Sequence, residues 1–221
     1  MKRLTVTFCS LLALAIAGCN DAATTDSAAK GDSTAVAKTD TTASTADAPT
    51  PPMDSAAMMK AWNEYMTPGE PHKLLAAQNG KWEGKITMWM TPDAPPTESK
   101  GTVVNRMILG GRYQEGKFTG TFNNMPFEGE SIVGYDNAKK VFISTWIDNM
   151  GTGIMTVEGP WDPVTKSITF TGEMLDPMTG KKCKLREIMT FIDDKTQKME
   201  MYNTMPGTKE YKSMEILYTK K

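Results

Sequence analysis

The sequence predicts an all-β domain: an antiparallel up-and-down β-barrel of about ten strands behind short N-terminal helices. Three observations predict it. From Gly80 onward, apolar residues recur at every second position in stretch after stretch, the period of half-buried strands. The breaks hold turn residues, among them Pro92-Asp93, Gly110-Gly111, Asn123-Asn124, Asp136-Asn137, Asp162-Pro163 and Met205-Pro206-Gly207, whose chemistry reverses a chain within a few residues. No helical period intervenes, so neighbouring strands pair antiparallel, and a long meander removes its exposed edges by closing on itself.

Residues 1–18 carry Lys2 and Arg3, then an apolar run to Gly18. The run is shorter than the roughly twenty residues of a spanning helix and has the form of a secretory signal peptide. Its end, Ile16-Ala17-Gly18-Cys19, resembles the lipobox of bacterial lipoproteins. That resemblance implies removal of residues 1–18, acylation of Cys19 and anchorage of an exported chain to the membrane. Asn20 rather than Asp follows the cysteine, which by analogy with enteric sorting favours the outer membrane over the inner. Loss of Lys2 and Arg3 leaves 23 of 25 basic residues against 26 acidic ones, so the formal charge moves from −1 to −3. A mildly acidic chain has no electrostatic footprint for nucleic acid.

Residues 19–52 are mostly Ala, Thr, Ser and Asp, with no aromatic residue. Such a segment cannot bury enough apolar area to offset ordering, so it reads as a disordered tether. As a flexible coil of about thirty residues it reaches roughly 30 Å. Of the three cysteines, Cys9 lies in the signal segment, Cys19 would carry lipid and Cys183 stands alone, so no disulfide framework is expected.

Residues 53–78 read as a helical lead-in. Asp54 is placed to cap a helix through Ala56, Ala57, Met58, Met59 and Trp62; Thr67-Pro68-Gly69 stops it, and Pro71 opens a second short helix. The barrel spans 79–221. Its first strand sets Trp82, Gly84, Ile86, Met88 and Met90 on one face, against Lys81, Glu83, Lys85 and Thr87. Further strands are expected near 99–109, 112–122, 127–136, 140–148, 152–161, 166–175, 182–193, 197–204 and 210–219. The pattern suits a barrel of lipocalin or calycin type, with a two-sheet sandwich as the alternative.

Five segments then carry a resemblance: Gly80-Lys81-Trp82, Ile108-Leu109-Gly110-Gly111-Arg112-Tyr113, Pro126-Phe127-Glu128-Gly129, Gly134-Tyr135-Asp136-Asn137 and Trp146-Ile147-Asp148-Asn149-Met150-Gly151-Thr152. In combination they resemble a bacterial domain family of unknown function, DUF1579, over roughly His72 to Lys221. The resemblance implies a barrel-like fold and no reaction.

His72 is the only histidine, and Cys and His form no cluster. Ser/His catalysis, zinc ligation and a heme barrel with an axial ligand lack their usual groups. His72 reads as a surface or capping residue. Asp148, Glu158 and Glu173 are the acids available for a glycosidase pair, but nothing in the sequence fixes their separation. Gly110-Gly111 and Gly151-Thr152-Gly153 read as turns, not phosphate loops. The pairs Met88/Met90 and Met199/Met201 would point inward. Their thioethers suit Cu(I), but filling a core or an adaptable pocket is the stronger reading. No metal or cofactor is expected.

Polar residues on apolar faces are better candidates for a ligand site. Arg112 shares a face with Gln114, Phe118 and Phe122; Tyr135 with Phe127, Ser131 and Val133; Trp146 and Asp148 with Phe142 and Ser144; Trp82 heads the first apolar face. Polar groups converging among aromatics make a small-molecule pocket. They can equally close a barrel, with Arg112 paired to Asp148 or Glu158. The face of the 140–148 strand is ambiguous, since Val141, Ile143 and Ile147 form an equally good inward set. The expected function is a lipid-anchored envelope protein, not an enzyme, whose barrel binds a small, partly apolar ligand. The alternative is a solid-barrel interaction module presented on a tether, and an enzyme ranks third. Oligomeric state is not legible.

Overall fold

A computed structural model describes residues 54–177 and 179–221; the signal segment, Cys19 and the tether lie outside the described residues. Helix α1 spans Ser55–Met66, and the Asp54 carboxylate caps it by accepting from the Ala57 N–H at 2.7 Å. Helix α2 spans Glu70–Ala77, carries Pro in its first turn and buries His72 and Leu75. The two helices differ in role: α2 packs on the strands, whereas no side chain of α1 is buried. The Asn137 amide ties down the end of α1 by donating to the carbonyls of Glu64, Tyr65 and Thr67 at 3.2, 3.0 and 2.9 Å.

The strands follow in order: β1 Gly80–Met88, β2 Thr97–Ile108, β3 Tyr113–Phe122, β4 Met125–Asp136, β5 Val141–Asp148, β6 Met155–Gly159, β7 Trp161–Asp162, β8 Ser167–Leu175, β9 Lys182–Asp193, β10 Thr196–Thr204 and β11 Tyr211–Lys220. Pairing is antiparallel throughout, β1 joins β11, and β8 pairs with both β6 and β7. Pro160 stands between β6 and β7; without an N–H it interrupts what is otherwise one strand. Counting β6 and β7 together, ten strands close a barrel, and the unbroken ladder rules out the sandwich.

Chain direction gives the barrel two unlike ends. Turns 109–112, 137–140, 163–166 and 194–195 surround α2. The other end carries the tight turn 123–124 and four longer connections, 89–96, 149–154, 176–181 and 205–210. Two apolar clusters fill the wall between them. One joins Leu75 to Phe142, Val157, Ile168, Phe170 and Leu185; the other joins Ile86, Phe118, Met199 and Ile216. The ambiguity in β5 resolves: Phe142 and Ser144 are buried and Ile147 is exposed, so Phe142, Ser144, Trp146 and Asp148 face inward. Met88, Met199 and Met201 pack into the core as expected. Met90 does not: β1 ends at Met88, and Met90 is 62% exposed beyond it.

Candidate functional site

At the α2 end, side chains peg the helix to the barrel. Trp82 is wholly buried, and its indole N–H donates to the Gln78 carbonyl at 2.9 Å. The Lys220 ammonium stands 5.2 Å from the centre of the indole and donates to the Ala77 carbonyl at 3.0 Å. Gln114 donates to the Leu75 carbonyl, and Gln197 to the Gln78 side chain. The bonds to the Leu75, Ala77 and Gln78 carbonyls satisfy acceptors that a helix end leaves open. His72 Nδ1 accepts from the Gly69 N–H at 3.0 Å, while its ring meets Tyr135 edge-on at 6.0 Å. Burial, then the positive charge of Arg112, lowers the His72 pKa against an opposing backbone hydrogen bond at Tyr135. His72 is therefore a neutral cap, buried rather than on the surface. Tyr135 in turn lies 4.9 Å from Phe142.

Arg112 departs from expectation. It is exposed in the β2–β3 turn, and Nη1 donates to the Leu109 carbonyl at 3.2 Å. It pairs with neither Asp148 nor Glu158; the latter binds Lys139 at 2.6 Å. At the loop end, the Trp146 indole stacks on Phe127 and donates to Asp148 Oδ2 at 2.8 Å. Asp148 Oδ1 also accepts from the N–H groups of Met150 and Gly151 at 2.9 and 3.1 Å, which spends the carboxylate on its own turn. The five sequence candidates thus do not converge. Trp82, Tyr135 and Arg112 belong to the α2 end, Trp146 and Asp148 to the loop end.

Between the two ends lies a group the sequence reading passed over. Glu187 sits on the inward face of β9 between Leu185 and Met189, opposite Phe170 of β8 and Met201 of β10. A row of inward methionines leads to it, since Met88 faces Met214 and Met214 faces Met201. Glu187 is partly buried, and that burial pushes its carboxyl pKa up to about 7. Glu187, Met189, Met201 and Tyr218 keep some uncovered surface. Tyr218 stands over Gly84, where a Cβ would come within 3.1 Å of its ring. Burial, then the nearby Glu187 charge, raises its pKa. Among the described residues no hydrogen bond or ion pair reaches the Glu187 carboxylate.

The other wall adds Asn105 and Ser131, whose oxygens close over Gly116. Towards the loop end, Asn203 Oδ1 is buried without a hydrogen-bond partner. A signal for Glu187 was present in the alternation Cys183, Leu185, Glu187, Met189, Phe191, which puts one acid on an apolar face. The other strand glutamates stand on the outer face, where Glu98, Glu115, Glu130 and Glu173 pair with Lys85, Arg106, Lys117 and Lys182.

This arrangement is a polar centre on an apolar, methionine-rich inner face. A few polar groups set among apolar side chains are the composition of a small-molecule site. Two clefts lie on the outside. One of about 760 Å³ runs along Met59, Asn63 and Pro68; another of about 270 Å³ lies over Val104, Arg106, Glu115 and Lys117. Both are open clefts, and neither includes Glu187 or the inward residues around it.

Comparison with known proteins gives two findings. A family model described as "Protein of unknown function (DUF1579)" matches residues 67–220. The crystal structure of Rv2717c from M. tuberculosis superposes with a TM-score of 0.52 at 12% identity, covering 70% of this chain and 99% of that one. At that identity the likeness speaks to the barrel fold alone. No curated protein matches the chain.

Proposed function

The chain belongs to the DUF1579 family, whose description carries no activity, and from its geometry we propose that it is an envelope binding protein. Its barrel holds a small, partly apolar ligand. The observation that carries this reading is Glu187: an inward carboxylate without a hydrogen-bond or ion-pair partner among the described residues, set among Met189, Met201, Phe170 and Tyr218. A solid structural barrel gains nothing from such a group, because an unpaired buried charge costs stability. The ligand enters at the loop end, opposite α2. Cys19 carries the lipid, and residues 19–52 hold the barrel away from an outer-membrane surface.

Full-length protein purified from its host envelope tests the binding claim. Denaturation should release a small molecule at near-stoichiometric yield, detected by mass spectrometry. A Ser131→Phe variant, shown folded by circular dichroism, should release none. Equal yields from the two proteins would refute the lumen as the site. Replacing Cys19 with Ala should move the protein from the membrane to the soluble fraction.

A second reading has its own support. Met58, Met59, Trp62 and Tyr65 of α1 are 54%, 59%, 56% and 46% exposed. Such an apolar face suits an interaction module presented on the tether.

A further inference from the structure

We infer that the lumen ligand carries a cationic amine, held by the Glu187 carboxylate with its apolar body against the methionine and aromatic wall. This rests on the reading of the lumen as a binding site and narrows the ligand class.

The argument begins with charge. The strand lysines and arginines occupy outward positions, where Lys85, Arg106, Lys117, Arg186 and Lys212 are spent on outer-face ion pairs. Lys220 is inward but belongs to the α2 end, held by Trp82 and the Ala77 carbonyl. No cation of the described residues therefore stands beside Glu187.

Its surroundings supply acceptors and electron-rich surface. Met201 and Phe170 flank it across the strands, and Leu185 and Met189 along its own. Tyr218 is the titratable neighbour from β11. Two residues along β10 from Met201, Asn203 offers a buried oxygen without a partner. Asp148 is occupied by Trp146 and its turn, and His72 caps α2.

Aromatic faces attract cations, and thioethers are soft and polarisable. A carboxylate ligand would meet Glu187 with like charge. An alcohol would leave the ionised carboxylate without a counter-charge. An ammonium supplies both the missing charge and up to three donors for Glu187 and Asn203.

Isothermal titration of the full-length protein near pH 8 tests this with three probes of matched shape: 2-phenylethylammonium, 2-phenylethanol and 3-phenylpropionate. The ammonium should bind at least about tenfold more tightly than the alcohol, the scale of one charge-assisted hydrogen bond. Glu187→Gln should erase that preference. Glu187→Asp should keep its sign. Near pH 5.5 the wild-type preference should shrink, because Glu187 is then protonated.

Equal binding of ammonium and alcohol overturns the inference while lumen binding stands. So does a preference that persists in Glu187→Gln. Failure of all three probes to bind overturns the binding-site reading and the inference together.

Discussion

Replacing Glu187 with Gln keeps the shape of the side chain and removes its charge. In the native protein burial raises the Glu187 pKa to about 7 from a reference of 4.5. Below the reference value both folded and unfolded chains are protonated, and Glu187 costs nothing. As pH rises from about 4.5 to 7 the unfolded chain releases its proton and the folded chain does not, so stability falls. Above about 7 both are ionised and the loss levels off. At about 1.36 kcal/mol per pKa unit, 2.5 units give a plateau cost of about 3 kcal/mol. Water reaching into the lumen makes that an upper value. The variant escapes this cost. Its stability relative to wild type should therefore rise by about 2–3 kcal/mol between pH 5 and pH 8, the shift still to come above pH 5. Because the comparison is between two pH values, any fixed difference between Gln and Glu cancels. For a domain of this size that is roughly 5–12 °C in melting temperature, readable by parallel thermal melts of the two proteins. A difference that stays constant across the range would refute the placement of Glu187 in a water-poor interior.

Four other expectations follow from named contacts. Asp148→Ala removes the acceptor for the Trp146 indole and for two turn N–H groups; it should cost about 1–3 kcal/mol in urea unfolding and shift Trp146 emission. Gln114→Leu removes a side-chain bond to the Leu75 carbonyl; it should speed hydrogen exchange in α2 and cost about 1–2 kcal/mol. At Gly101 a Cβ would sit 2.0 Å from the Phe118 ring, whereas at Gly153 it meets nothing within 4 Å. Gly101→Ala should therefore destabilise by about 1–3 kcal/mol, with Gly153→Ala inside about 0.5. Cys183 is a buried free thiol, so a thiol reagent should label it only when the protein is unfolded, at the rate of unfolding.

The fold was legible because a barrel repeats one simple instruction. Period-two stretches and turn residues locate strands to within about three residues, β9 at 182–193 without error. Register in a closed meander follows from connection length. Sequence could not show that β6 and β8 meet, because Pro160 breaks the stretch where closure occurs. The site was less legible for a different reason. Arg112, Tyr135, Trp146 and Asp148 stand out in the sequence as polar or aromatic residues sharing faces with apolar ones, but a face does not say at which height along the barrel a residue lies. Tyr135 ends at the α2 plug and Asp148 in the 148–151 turn, where neighbouring backbone and indole N–H groups claim it. Arg112 precedes β3 and swings out of it, a fraying that periodicity does not register.

What separates Glu187 from those candidates is the absence of local work. Trp82, Gln78, Gln114 and Gln197 are bonded into the α2 plug, and Asp148 into a turn. Each would persist in a protein that binds nothing, because each satisfies a group that folding leaves open. Glu187 satisfies none, and it raises the pKa of the one titratable neighbour on β11. A group that destabilises its own fold is retained when something outside the fold uses it. By that criterion the proposed binding site centres on Glu187, with Tyr218, Met201 and Asn203 around it and the aromatic ends of the barrel as its frame.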